Sequence, residues 1–409
     1  MSKKAYILIL FILAFGLLSN IFTASFLTRN VSFVLTMLWG IVGWFYFPAS
    51  PTNSLNNRKH QSVAWVIVCI MLLSMLVPYY HYGQSLVDTF FSQRFNYAIL
   101  FLPVFLRIIP SDKDFLYSIK ICAYVSLAGY IVSLVFPQFF LTPEAIKEML
   151  ESRKANASTD IGFAAPGFNS AIIYLYYKTG KLFHRPTMKD IIEASAFMLY
   201  IILVQNRSTI IGTLPFYCIG MVMMKTQKKM LFITLAVIAL VGILPFLNTI
   251  YSSLVNETQL QLEDENYNRW QALSLYLVEM KNDFISVLLG NGVWSKSGYY
   301  LEMMLQAQFS RGTYISDIGW LGTYFYYGIV PVSFLLYYSV KAIWNNKVPA
   351  YLKYYACWII LIPTIHGFLQ LTTGGGVLFA MYFYLIMYYT ALREKVNVYD
   401  YQRLTDSKN

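Results

Sequence analysis

Arg207 stands in Gln205-Asn-Arg-Ser-Thr209, and Arg269 in Glu265-Asn-Tyr-Asn-Arg-Trp270. A guanidinium stays charged at any working pH and offers a planar fork that matches phosphate oxygens. Each arginine is therefore a candidate anion-binding group. The plainer readings are a turn residue snorkelling to headgroups for Arg207 and an i−4 ion pair with Glu265 for Arg269. Trp270 and Tyr276 follow Arg269 closely and could offer aromatic faces to a sugar ring. Asp317 lies in Tyr314-Ile-Ser-Asp-Ile-Gly-Trp320 with Arg311 nearby. Its plainer reading is a helix cap, shared with Ser316. The histidines at 60, 81, 184 and 366 are scattered, there is no Asp-x-Asp pair, and no P-loop or Rossmann glycine pattern occurs. No metal and no nucleotide cofactor is expected. The four cysteines, Cys69, Cys122, Cys218 and Cys357, sit in apolar runs without CxxC spacing and read as packing residues.

The elements that must hold these groups follow from composition. Hydrophobic residues make up 57% of the 409 residues and charged residues 12%. Soluble domains carry about 25% charged residues. A soluble multidomain enzyme, a disordered chain and a fibrous repeat are excluded. The pattern predicts an all-α polytopic membrane protein, a single integral domain over 1–409, with about 12 transmembrane helices. The spans are expected near 5–27, 31–49, 62–80, 96–110, 115–136, 161–177, 190–204, 208–224, 230–249, 315–340, 351–369 and 375–391. Pro166, Gly167 and Asn169 weaken the sixth.

An even count puts both termini on one side. With that side cytoplasmic, the short inner stretches collect most of the 31 Lys and Arg, including Lys3, Lys4, Arg58, Lys59, Lys225, Lys228 and Lys229. This is the positive-inside pattern. Most of the net charge of +11 is thus a topology signal, and no nucleic acid is expected as a partner. Two outer segments are large. Residues 137–160 contain a short amphipathic helix beginning near Pro143. Residues 249–314 form a large outer loop between helices 9 and 10, with helical periodicity over 260–284 and a turn at Gly290-Asn-Gly292. His81 and Arg94 flank the second outer loop and could line an approach to a site. His366 falls inside the eleventh span, where a histidine is a site hypothesis or a helix–helix hydrogen bond.

The order of features over 190–340 resembles the O-antigen polymerase and ligase superfamily (Wzy-like and ligase-like proteins). It consists of the Asn206-Arg207-Ser208 turn, then Asn268-Arg-Trp270 and Leu288-Leu-Gly-Asn-Gly292 in the long outer loop. Ser316-Asp-Ile-Gly-Trp-Leu-Gly322 and Tyr327-Gly-Ile329 complete it. The resemblance implies a GT-C-like fold in the bacterial cytoplasmic membrane. It implies metal-independent glycosyl transfer at the outer face, from an oligosaccharide on undecaprenyl diphosphate. It assigns diphosphate binding to Arg207 and Arg269. A chain-length regulator and a flippase are the implied protein partners. Ligases carry a histidine near the end of the large loop; here that region reads Ser316-Asp-Ile, which favours a polymerase unless His366 fills the role. The acceptor hydroxyl needs a base, for which Asp317 is the candidate.

Two other readings remain, a polysaccharide flippase and a solute transporter. No repeat halves are visible, and the notable arginines lie at the outer edge rather than at mid-membrane. The Lys/Arg asymmetry makes a direct prediction. A reporter active only outside the membrane should work after Gly298 and fail after Gly180; the reverse would invert the sidedness.

Overall fold

The computed structural model describes residues 1–17, 26–48, 57–136, 166–182, 186–204, 207–222, 268–281, 283–311, 313, 315–319, 321–361 and 373–406, with 230 and 234 as isolated positions. Among these residues every regular element is helical and no strand occurs. Among the described residues, three helices are long and apolar enough to cross a membrane: His60–Tyr82, Asp112–Ser133 and Thr373–Ala391. Two shorter apolar helices are Asn30–Tyr46 and Ile329–Trp344. The small outer loop at 137–160, the ninth span and residues 249–267 of the large loop fall outside the described residues.

The chain divides into two compact units. The first holds Met1–Ala14, Phe33–Phe115 and Asn268–Asn409. Its helices are α1 (Lys3–Ala14), the greater part of α2 (Phe26–Tyr46), α3 (Asn57–Leu73), α4 (Leu76–Tyr82), α5 (Leu86–Ser92) and α6 (Phe101–Ile108). A 3-10 segment, Arg94–Leu100, leads into α6. The second unit holds Phe15–Ser32 and Leu116–Tyr267. It takes most of α7 (Asp112–Val135), with α8 (Phe168–Leu182), α9 (Met188–Leu203) and α10 (Arg207–Val222).

The core of the first unit forms around the last helix, α17 (Thr373–Asp406). Every residue from Val377 to Met387 is buried. A helix apolar all round must be enclosed by protein or lipid, and this one is enclosed by protein. It packs on Arg94–Leu100 and α6. Gly376 permits the approach, since a Cβ there would stand 2.6 Å from that of Ala98. The fourth expected span, 96–110, is thus a 3-10 turn followed by a buried α-helix, not a lipid-facing rod.

One end of the first unit is tied together by hydrogen bonds. Lys3 Nζ donates to Ile109 O at 3.1 Å, Tyr384 Oη donates to Pro110 O at 2.9 Å, and Tyr351 donates to Asp112. At the opposite end of α6, Asn96 donates to Tyr327.

Several boundaries differ from the expected ones. The first segment, expected over 5–27, is helical over Lys3–Ala14 and turns at 15–17, and α2 starts at Phe26. Unbroken apolarity hides such a turn. The sixth starts after the Pro166–Gly167 turn, with Ser170 N–H donating to Gly167 O at 2.8 Å. It runs on to Leu182, so Lys178 lies inside it rather than in a loop. Lys178 is tolerated there because it pairs with Asp190 and Glu193 of α9, each at 2.5 Å. Tyr174 adds a hydroxyl donor to Glu193 at 2.7 Å.

The tenth span is the most altered. It is split into a 3-10 turn at Ile315–Ile318, α14 (Leu321–Tyr327) and α15 (Ile329–Trp344). The α14–α15 break is Gly328, with φ of 75°. Gly290, with φ of 81°, crosses it. A Cβ on Gly328 would overlap the Leu288 carbonyl, and one on Gly290 would overlap the Tyr326–Tyr327 peptide. Positive φ and contact with backbone each demand glycine. Gly290→Ala and Gly328→Ala should each cost roughly 2–6 kcal/mol from strain and overpacking. Gly298 also has positive φ (94°) but open space around it. Gly298→Ala should therefore lower the thermal midpoint in detergent much less. Equal losses at 298 and 328 would show that no tight crossing exists.

Candidate functional site

The first unit holds the backbone of Arg94, Arg269, Trp270, Tyr276, Arg311 and Asp317. Helix α11 (Asn268–Ser274) carries Arg269 and Trp270 and continues as a π-turn, Leu275–Glu279. It packs against the 3-10 turn Ile315–Ile318, which carries Asp317. Arg311 ends the helix α13 (Tyr299–Arg311), two residues before Thr313. The fold therefore brings the backbone carriers of Arg269 and Asp317 together. The side chains of Arg269, Trp270, Arg311 and Asp317 lie outside the described residues. Arg207 is the first residue of α10, in the second unit, and its side chain is likewise outside them. His366 lies outside them altogether.

Two expectations change. Tyr276 is not an exposed sugar platform: it is fully buried. Ala272, Leu275 and Tyr276 form the inward stripe of their helix at i, i+3, i+4. The Tyr276 hydroxyl donates to Thr313 O at 3.1 Å, and its ring meets Phe325 edge-on at 5.2 Å. Thus Tyr276 ties α11 to the chain between Arg311 and Asp317. Arg94 does not reach toward a site either. Its Nη1 donates to Phe91 O at 2.6 Å, and its guanidinium covers the Phe95 ring at 4.5 Å.

The sequence reading missed a set of contacts that dock the second outer loop on the large one. His81 Nε2 meets Asp283 Oδ2 at 3.1 Å. Gln84 Nε2 donates to Val293 O at 2.9 Å, and Ser295 N–H donates to Gln84 Oε1 at 2.7 Å. Tyr82 stacks on Tyr300, centroids 4.1 Å apart. Trp294 lies 5.7 Å from Tyr326 and is partly exposed. Buried hydroxyls of Thr323 and Tyr326 find no hydrogen-bond partner among the described residues. His81 was singled out from the sequence without a partner; Asp283 could have been found as an N-cap three residues before Ser286. It caps α12 (Phe284–Leu289), accepting the Ser286 N–H at 2.7 Å. That backbone bond, with His81 adding to it, holds the Asp283 carboxyl below the usual range.

Lys281 holds the crossing point. Its Nζ donates to Ser286 O at 2.8 Å, and to Asn291 Oδ1 and Tyr324 O, both at 3.3 Å. It also lies 4.3 Å from the Tyr324 ring centroid. The carbonyl of Tyr324 belongs to the last turn of α14, so the lysine amine acts as a donor to the helix end at the break. Burial pulls its pKa from 10.5 down to about 7, opposed by the Asp283 carboxylate. Among the described residues no group of three or more His, Cys, Asp or Glu comes together.

Lys281→Met keeps the stem and removes the donors, leaving Asn291 Oδ1 short of a partner. A loss of about 1–3 kcal/mol is expected. Between pH 7 and 10.5 the unfolded chain binds the proton that the folded chain has released. Wild-type stability should therefore rise with pH across that window. The thermal midpoint gap between wild type and Lys281→Met should widen from pH 7 to 10. A constant or narrowing gap would contradict the assignment.

No protein-family model and no curated protein matches this chain, so the site rests on its own residues and geometry.

Proposed function

We propose that this chain polymerises oligosaccharide repeat units carried on undecaprenyl diphosphate, at the outer face of a bacterial cytoplasmic membrane. In this reading it is a GT-C-like protein with about 12 spans and both termini cytoplasmic. One observation carries it. Of the segments that suggested the family, those of the first unit are far apart in sequence yet meet. Asn291 N–H donates to Phe325 O at 2.7 Å and Gly292 N–H to Tyr326 O at 3.0 Å, and Gly328 lies against the Leu288–Leu289 peptide. The helix bearing Arg269 packs on the turn bearing Asp317.

The chemistry breaks the anomeric C–O bond to the lipid diphosphate and forms one to an acceptor hydroxyl. Negative charge grows on the departing diphosphate, and the acceptor loses a proton. Arginine forks answer the first need electrostatically, without a metal; Arg207 and Arg269 are assigned this role, with Arg311, Trp270 and His366 as further substrate contacts. Asp317 is assigned the second as base. The bilayer keeps donor and acceptor in one plane, which lowers the entropic cost of meeting.

The test is glycan length. A deletion strain should transfer single repeats to their final carrier, whereas a ligase defect would strand long chains on undecaprenyl diphosphate. Arg207→Lys and Arg269→Lys keep the charge and lose the fork. Each should cut polymerisation about tenfold or more, about 1.4 kcal/mol in barrier, with normal membrane insertion. Purified protein should elongate lipid-linked repeats in excess chelator. Stranded long chains, normal polymer from both variants, or a strict metal requirement would each overturn the reading.

A further inference from the structure

Residues 284–295 carry no charged side chain although they sit within the large outer loop. Their path explains why. Asp283 stands beside His81, at the end of the candidate span His60–Tyr82. Gly292 stands lower on the same span, packed on Pro78, where a Cβ would lie 2.9 Å from Ser74 O. At 1.5 Å per helical residue, the chain descends roughly 5–10 Å along the span between these two points. The descending piece is α12, and it packs on α3, α4, α14 and α15.

One face of α12 is turned to those helices, with Ser286 buried. The other is bare: Phe284 is 76% exposed, Ile285 50% and Leu288 36%. The span beside it shows a matching stripe, Leu72, Leu73, Leu76, Tyr79 and Tyr80, all exposed. Its spacing of i, i+1, i+4, i+7, i+8 is that of a lipid-facing helical face. α12 packs on α3 and α4, the two helices that carry this stripe.

Irregular backbone at membrane depth requires that protein satisfy its polar groups. Here it does. Gly290 N–H donates to Ser286 O at 2.9 Å, and Asn291 and Gly292 donate to the α14 carbonyls. Asn291 O accepts from Tyr300 Oη at 3.2 Å, Val293 O from Gln84, and Asn291 Nδ2 donates to Met280 O at 2.6 Å. The charged groups at the head of the descent, Lys281 and Asp283, are both engaged.

We propose that Phe284–Leu289 is a re-entrant helix whose Phe284, Ile285 and Leu288 face is solvated by the acyl chains of the outer leaflet. The large outer loop is then not wholly aqueous: its second half dips beside the His60–Tyr82 span before returning through Val293–Ser295. The occupant is lipid because α12 packs against the candidate span that bears the exposed apolar stripe, and residues 284–295 carry no charge that would hold water or an ionic partner. The proposal rests on the reading of His60–Tyr82 as a membrane span, and its test checks that separately.

Single cysteines are placed in the full chain with Cys69, Cys122, Cys218 and Cys357 replaced by alanine, in nanodiscs that leave both faces open. The positions are Phe284→Cys, Leu288→Cys, Lys296→Cys and Leu72→Cys. A charged maleimide should label position 296 readily and positions 284 and 288 at no more than about a tenth of that rate, because the reacting thiolate is disfavoured in hydrocarbon. A fluorophore at 284 or 288 should be quenched by nitroxide-labelled phospholipid as strongly as one at 72. Labelling at 284 and 288 matching that at 296 would overturn the proposal. So would shielding without lipid quenching, which would mean that protein covers the face. Absence of quenching at position 72 as well would overturn the span itself, and the proposal with it.

Discussion

Backbone hydrogen bonding at a broken helix is the constraint on which the first unit depends. Once Gly328 interrupts the tenth segment, the last carbonyls of α14 have no helical partners. In an apolar setting each such group costs more than most packing contacts return. The structure answers with two glycines, one lysine and a borrowed strand of loop. Asn291 and Gly292 supply N–H groups, and Lys281 Nζ supplies a further donor. Gly328 N–H closes on Tyr324 O at 2.9 Å. The loop can come this close only because Gly290 has no side chain. Glycine positions, lysine burial and loop path are one solution to a single problem.

The second unit solves a related problem with charge instead of backbone. Lys178 is buried on α8, where an unpaired ammonium would be expensive. Two carboxylates of α9 neutralise it, and Thr187 caps that helix by accepting the Asp190 N–H at 3.1 Å. A pair of this kind adds little net stability, because desolvation offsets the attraction. Its value is in register: Lys178 can reach both Asp190 and Glu193 only when α8 and α9 meet at one setting.

The helical class was legible because it depends on averages over many residues. Helical content and the apolar runs follow from composition and local pattern. What failed depends on single contacts. Apolarity continues through Phe15–Leu17, so the turn there was invisible. Tyr276 read as a sugar platform because it neighbours Trp270; the inward stripe with Ala272 and Leu275 was the better guide. The glycine motifs could be seen but not their partners, since Gly290 and Gly328 meet across a long stretch of chain. His81 and Asp283 are separated in the same way, and no spacing rule pairs them.

The same contacts narrow which cations of the first unit could meet an anionic substrate. Lys281 spends its donors on carbonyls, Arg94 lies on Phe95 and binds Phe91 O, and His81 faces Asp283. Each of these contacts serves the fold. The charge of a diphosphate needs fixed cations. In the proposed function that role falls, within this unit, to Arg269 near the start of α11, with Arg311 at the end of α13. Tyr276 fixes the chain between Arg311 and Asp317 by its bond to Thr313 O. A tyrosine that first read as a substrate contact thus becomes a positioning residue: by anchoring the backbone it sets where the arginine and the carboxylate can be presented.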